Sequence, residues 1–365
     1  MVGATGASPV LAVTPLLRRH VSPRKAWNEE GVASTVGTIM ALLVFLTFLS
    51  LITNQYVPVW MKDSEAGHLG EALGQMGGFK SDIDLQILAA QTALIVGRHY
   101  VPVTTFSSVK LGVDGVPIFS SPTIGELTID QASSPWTVWF RYSISGNQTT
   151  VPEANCACGG VVRLHVFNRF FPQQTIAYEN GALIRAQFDG FVIKGDPSFQ
   201  VLVSNTSAQV DFTLIQLFGS GGVAGVGPEG MQARVLSVDL QEYANIQTAI
   251  HLNTTTRYGP AWYRFFNDTL SKAYGVDGDD YKKNPDFKYN EKFRAGGLPD
   301  QLRAENPIFL IQTLWDGNKN VYTVTVQFRL DKPGDSITVV PISVFRLLHA
   351  YVNVAAGERG NQVGI

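Results

Sequence analysis

The stretch VASTVGTIMALLVFLTFLSLI, Val32 to Ile52, decides how the rest of the chain is read. It lies inside a longer window, Gly31 to Met61, that holds no Asp, Glu, Lys or Arg. A helix rising about 1.5 Å per residue needs roughly 20 apolar residues to cross the hydrocarbon of a bilayer. This run supplies them before the polar Thr53-Asn54-Gln55, and Tyr56 and Trp60 follow where interfacial aromatics belong. A helix buried in a soluble core shows a polar face about every 3.6 residues, whereas here only Ser and Thr interrupt the apolar side chains. The expectation is one transmembrane helix within 31–58, with the lipid bilayer as its partner.

The flanks set its direction. Arg18, Arg19, Arg24 and Lys25 precede the run, against Glu29 and Glu30, while the first charges after it are Lys62, Asp63 and Glu65. Basic side chains resist translocation, so residues 1–30 are expected to be a disordered cytoplasmic leader and the chain beyond about residue 60 to lie outside the cell membrane. A cleaved secretory signal has an apolar core of about 7 to 15 residues and a small-x-small cleavage site, a pattern this run does not follow.

The run Gly31-Val32-Ala33-Ser34-Thr35-Val36-Gly37-Thr38-Ile39, continued by an unbroken apolar helix, resembles the N-terminal segment of archaeal type IV pilin-like and archaellin-like proteins. The resemblance implies cleavage after Gly31 by a prepilin-type peptidase, with Val32 as the new N-terminus, and assembly through helices of copies of the chain. Glu30 stands where that family usually carries a basic residue. A second, fainter resemblance rests on Lys110-Leu111-Gly112, Tyr178-Glu179-Asn180-Gly181-Ala182, Thr256-Arg257-Tyr258 and Ala261-Trp262. It is to a group of archaeal surface proteins built as one span plus a β-rich ectodomain, and it implies architecture alone.

Residues 59–98 read as a helical stalk or transition. Glycines at 67, 70, 74, 77 and 78 follow Pro58, and each costs a helix about 1 kcal/mol, so a continuous helix is not expected through Lys62 to Gly78. Apolar spacing returns at Asp82 to Val96, which predicts a helix. Beyond Tyr100 the period becomes two. Strands are predicted at Val101 to Leu111, Thr137 to Ser145, Val161 to Phe167, Leu183 to Ile193, Phe199 to Val203, Val210 to Phe218 and Ala233 to Leu240. Further strands are predicted at Ile308 to Trp315, Val321 to Leu330, Ser336 to Val344 and Leu347 to Val354, with a turn at Asp316-Gly317-Asn318. Between the two sets, Pro260 opens a short helix, Ala261 to Tyr274, with Trp262, Phe265, Phe266 and Leu270 on one side. The fold class is therefore mainly β: a transmembrane helix, then an antiparallel β-sandwich-type ectodomain with one inserted helix. One large sandwich or two smaller ones, over 99–250 and 251–356 with a tail at 357–365, both fit.

Composition narrows the function. The 28 basic and 30 acidic residues give a net charge of −2, which supplies no positive field to hold nucleic acid. Charged residues are only 16% of the chain, with 35 Gly and 18 Pro, a strand-and-turn profile that fits a protein working outside the cytosol. No G-x-S-x-G or H-E-x-x-H occurs, and the histidines at 20, 68, 99, 165, 251 and 349 are scattered, so no catalytic residue, cofactor or metal is assigned. Gly225 to Gly230 satisfies G-x-G-x-x-G, but Gln232 to Leu240 alternates like a strand, and a loop between strands is the reading. Cys156 and Cys158 are a candidate disulfide, local or between subunits; an inert reduced pair and a metal site are the alternatives. The acidic turn Asp277-Gly278-Asp279-Asp280, with Asp286, offers hard oxygen ligands but lacks EF-hand spacing, and nearby lysines favour a solvated loop. Asn147, Asn205, Asn253 and Asn267 head N-x-S/T sequons and are candidate glycosylation sites. The expected role is structural or adhesive, a filament subunit among the options, with other surface proteins or glycans as partners. An anchored ligand-binding module and an extracytoplasmic hydrolase are the alternatives.

Overall fold

The computed structural model describes residues 29–144, 147–150, 158–204, 207–244, 246, 250–274, 309–328 and 342–357. The chain divides into two compact units, one ending at Gln55 and the other starting at Tyr56.

The first unit holds helix α1, Glu29–Leu51, whose 23 residues span about 34 Å. It is long and apolar enough to cross a membrane, and its apolar window is fully exposed. Two of its hydroxyls are satisfied within the helix: Thr38 and Thr47 each donate to a carbonyl one turn back, at 2.8 Å. A π turn, Ile52–Tyr56, follows. It sits where Pro58 withholds the amide that would close a regular turn on Asn54.

The second unit begins with helix α2, Val57–Ile95. This corrects the expectation of a break: α2 runs through all five glycines. Met61, Leu69, Met76, Phe79, Ile83 and Ile87 recur on one face and are buried. At about 1.5–3 kcal/mol per buried side chain they contribute on the order of 10 kcal/mol, which outweighs about 5 kcal/mol for the glycines. Gly67, Gly70, Gly74 and Gly78 lie on the opposite, exposed face, where an added Cβ meets nothing within 4 Å. Gly70→Ala and Gly74→Ala are therefore expected to raise stability by about 0.5–1 kcal/mol each, read as a rise in the urea midpoint of the detergent-solubilised chain. An unchanged or lowered midpoint would contradict the open surface.

Strands follow as β1 (Thr105–Lys110), β2 (Gly125–Asp130), β3 (Trp136–Trp139), β4 (Arg141–Ile144), β5 (Asn147–Thr150), β6 (Val161–Val166) and β7 (Gln174–Glu179). Next come β8 (Ala182–Gln187), β9 (Gly190–Gly195), β10 (Phe199–Val203), β11 (Ala208–Phe218), β12 (Gly221–Gly225), β13 (Pro228–Ala244) and β14 (Ile250–Thr256). Helix α3 (Gly259–Tyr274) precedes β15 (Phe309–Asp316), β16 (Val321–Phe328) and β17 (Ile342–Ala356). The predicted strands Thr137 to Ser145 and Leu183 to Ile193 are each two strands, the latter folded at Phe188-Asp189.

Three main sheets form, ordered β1-β13-β17-β11-β10, β12-β2-β6-β7-β8-β9 and β15-β16-β14-β3, beside a β4-β5 ribbon. Among the described residues every pair of strands is antiparallel but one. The mainly β, antiparallel expectation holds, with β17 running parallel to β11 as the exception. Its run LLHAYVNVAA is buried almost throughout, as suits a central strand covered on both faces. β17 lies between β11 and β13, and β3 joins the sheet of β14, so segments 99–250 and 251–356 exchange strands inside a single compact unit.

Two apolar clusters fill this unit. In one, Leu127, Leu164 and Tyr178 of the six-stranded sheet meet Val235, Leu348 and Val352 of the five-stranded sheet and the buried face of α2. In the other, Trp136, Phe212, Leu252 and Val326 surround Trp262, Phe266 and Leu270 of α3, with Trp136 and Trp262 ring centroids 4.8 Å apart.

Candidate functional site

The outward face of the six-stranded sheet is read off its register. Glu126 of β2 stands opposite His165 of β6, His165 opposite Thr175 of β7, Thr175 opposite Ala186 of β8, and Ala186 opposite Phe191 of β9. With strands about 4.8 Å apart, this row crosses about 19 Å of sheet. The next row brings Thr128 beside Arg163. Against this face stands the β15–β16 hairpin, whose Trp315 and Tyr322 rings lie 4.5 Å apart. Phe191 reaches both Tyr322 and Tyr258, at 6.5 and 6.3 Å. Gly259 allows that approach, because a Cβ there would sit 2.3 Å from the Tyr322 side chain.

The result is an open cleft of about 750 Å³ between polar strands and aromatic rings, within the size range of small-molecule sites. Trp315 is 51% and Phe188, at the β8–β9 turn, 89% exposed. Arg163 is tied to Asp130 at 3.1 Å, and Asp130 also accepts from the Ala132 N–H and the Ser133 hydroxyl. Burial alone would raise the Asp130 pKa, but these donors, the Ser133 hydroxyl foremost, hold it below the ordinary carboxylate value. Burial lowers the His165 pKa, opposed by Glu126, and His165 Nδ1 lies 2.8 Å from the Thr175 hydroxyl. The side chains of Glu126 and Arg257 are exposed and make no hydrogen bond or ion pair among the described residues.

Glu179 lies fully buried behind the cleft. It accepts from Trp262 Nε1 at 2.7 Å, Ser134 Oγ at 2.8 Å and Thr256 Oγ1 at 2.9 Å. Thr256 Oγ1 in turn accepts the Tyr258 N–H at 3.1 Å. The carboxyl thus joins β7, β14 and α3 and sets Tyr258 at the cleft wall. Burial raises the Glu179 pKa against these three donors, and raises that of Tyr258 as well.

Sequence-predicted residues lie elsewhere. Gly31 and Val32 fall in the first turn of α1, Asn147 in β5, and Asn253 and Asn267, both half-buried, in β14 and α3. Cys158 is buried, its Sγ 3.5 Å from His349 Nδ1. Cys156, Asn205, the acidic loop 277–286, residues 1–28 and the tail from 358 lie outside the described residues. Gly225 ends β12 and Pro228 opens β13, and between them Val226 and Gly227 accept the N–H groups of Gly112 and Leu111 at 3.1 and 3.0 Å. The G-x-G-x-x-G is a strand-to-strand loop. Among the described residues no three His, Cys, Asp or Glu gather to hold a metal. Trp136 and Phe140 are core, while Trp139 is half-exposed.

His251 of β14 stacks on Trp139, centroids 3.7 Å apart and rings 9° from parallel. Burial lowers its pKa from an ordinary 6.5 to about 4. Between those values the unfolded chain binds a proton that the folded chain does not, so stability rises as pH climbs through this window and is lost on acidification. After discounting for solvent at the half-exposed ring, the component is about 1–2 kcal/mol. His251→Phe keeps a ring on Trp139 and removes it. The wild-type urea midpoint should fall further than the variant's between roughly pH 7 and pH 4.5; parallel falls would refute the assignment.

No family model, curated protein or solved structure matches the chain.

Proposed function

We propose that the protein is a single-pass cell-surface protein of the archaeal pilin-like secretion class, its N-terminus cytoplasmic and its second unit outside, with a structural or adhesive role. The observation that carries this reading is the exposed apolar surface of α1. Val36, Ile39, Met40, Leu42, Leu43, Val44, Phe45 and Phe48 are all exposed. Left in water they would forgo on the order of 10–20 kcal/mol, so an apolar medium must cover them. Lipid fits a helix of this length, and the basic residues ahead of it favour a cytoplasmic N-terminus.

Leu42→Arg tests the anchor. An arginine at the centre of a span costs about 3 kcal/mol relative to leucine, so the variant should shift from the alkaline-resistant membrane fraction toward the soluble fraction. Equal partition of both proteins would remove the anchor. Protease added outside intact cells should digest the second unit; full protection would reverse the orientation.

A filament subunit is the second reading. Gly67, Gly70, Gly74 and Gly78, followed by Leu85 and Leu88, form an exposed line along α2 that lets another helix approach closely. Mass spectrometry of the membrane-extracted chain decides it: Val32 at the N-terminus supports assembly, and an intact Met1 removes it.

A further inference from the structure

The cleft combines two surfaces that no single apolar or charged ligand would use together. Phe191, Tyr322 and the exposed Trp315, tilted or edge-to-face on one another and backed by the buried Tyr258, line one side of the cleft with aromatic surface that can take the C–H face of a ligand. Facing them are hydroxyl, imidazole, carboxylate and guanidinium groups, acceptors and donors side by side. The lining charges cancel: Glu126 and Asp130 against Arg163 and Arg257, with burial keeping His165 toward its neutral form. A polyanion would meet two carboxylates, and an acyl chain would strip water from a polar floor without replacing its hydrogen bonds. The exposed Glu126 and Arg257 side chains, which make no hydrogen bond or ion pair among the described residues, are an acceptor and a donor open to a ligand's hydroxyls. Ala186, the smallest side chain in the row across the sheet, leaves the floor low between Thr175 and Phe191.

We propose that this cleft binds a neutral oligosaccharide laid across the strands, its sugar rings on Trp315, Tyr322 and Phe191 and its hydroxyls on Glu126, His165 and Arg257. The proposal rests on the reading of the second unit as outside the cell with an adhesive role and names its ligand class.

The test is isothermal titration of the detergent-solubilised full chain with manno-, cello- and chito-oligosaccharides, in low and high salt. At least one series should bind saturably with little salt dependence. Trp315→Ala should weaken that binding about tenfold or more, as truncation of a central aromatic anchor does. Phe188→Ser, at an exposed turn where folding is not at stake, should weaken it several-fold. Absence of binding by all three series in a preparation that unfolds cooperatively would overturn the ligand class. So would preference for sulfated or phosphorylated sugars with steep salt dependence, preference for proline-rich peptides, or binding that neither variant alters. The protease experiment on intact cells separates the two layers. An outside, anchored chain that ignores sugars loses only the ligand, and a sugar-binding chain that is not outside loses only the proposed role.

Discussion

Glu65→Ala is expected to lower the stability of the second unit by about 4 kcal/mol, the largest effect of any single substitution considered for this chain. Glu65 is a charged residue type on α2 with no exposed surface, and it meets the β6–β7 connection. Its Oε1 accepts from Thr123 Oγ1 at 2.6 Å and the Arg169 N–H at 3.1 Å, and its Oε2 from the Phe170 and Phe171 N–H groups at 2.9 and 2.7 Å. Three successive backbone amides converge on one carboxylate. Alanine strands all four donors, and a backbone N–H fixed in its loop has no rotamer with which to seek another protein partner. Glu65→Gln should recover about half the loss, since its oxygen can serve Phe170 and Phe171 while its NH2 donates to the Thr123 hydroxyl and confronts the Arg169 amide. Urea unfolding followed by near-ultraviolet circular dichroism measures both. A cost under about 1 kcal/mol for the alanine variant would show that α2 docks by apolar contact alone.

Glu179 has the opposite logic, although it is equally buried. Glu179→Ala is expected to cost about 3–4 kcal/mol, because Trp262 Nε1 loses its acceptor and a cavity opens beneath the aromatic cluster. Glu179→Gln should not. Two of the three donors to Glu179 are hydroxyls, which can turn and accept from the new NH2, while the amide oxygen keeps Trp262. The sign of the pH dependence follows from the raised pKa. Between the ordinary value of 4.5 and the higher native value, the folded chain holds a proton that the unfolded chain has released. This component of stability is therefore present at and below pH 4.5 and is lost as pH rises through the native pKa. Glu179→Gln removes it, so the variant should match the wild type near the bottom of that window and exceed it at neutral pH. A glutamine variant less stable than wild type at neutral pH would mean that the carboxylate is held ionised by its donors.

Parts of this arrangement were legible before folding. Pro260 at the start of α3 and Trp262, Phe266 and Leu270 spaced four apart specify a helix with one buried side, and that helix is found one residue from its predicted start. β10 falls on its predicted residues, Phe199 to Val203. β7 and β8 show a signal not used in the strand assignment. Asn180 and Gly181, both with positive φ, form the two-residue turn that an Asn-Gly pair favours in a hairpin. The fainter resemblance had already singled out Glu179, Thr256 and Trp262, whose side chains meet in one hydrogen-bond network, but nothing local says that residues this far apart in the chain touch.

By itself the sequence determined the apolar character of α1, the alternation that makes strands and the amphipathic helix α3, because each depends on solvent preference repeated over a few neighbouring residues. Only the tertiary structure decided that α2 is unbroken, that β17 runs parallel in the middle of a sheet, and that a cleft opens between β2, β6 and the β15–β16 hairpin. In α2 the cost of each glycine is local and visible, while the larger gain comes from strands far along the chain. The same holds for Glu65 and Glu179: a carboxyl group can be buried here because donors from distant segments arrive at it together, and no short window of sequence contains them.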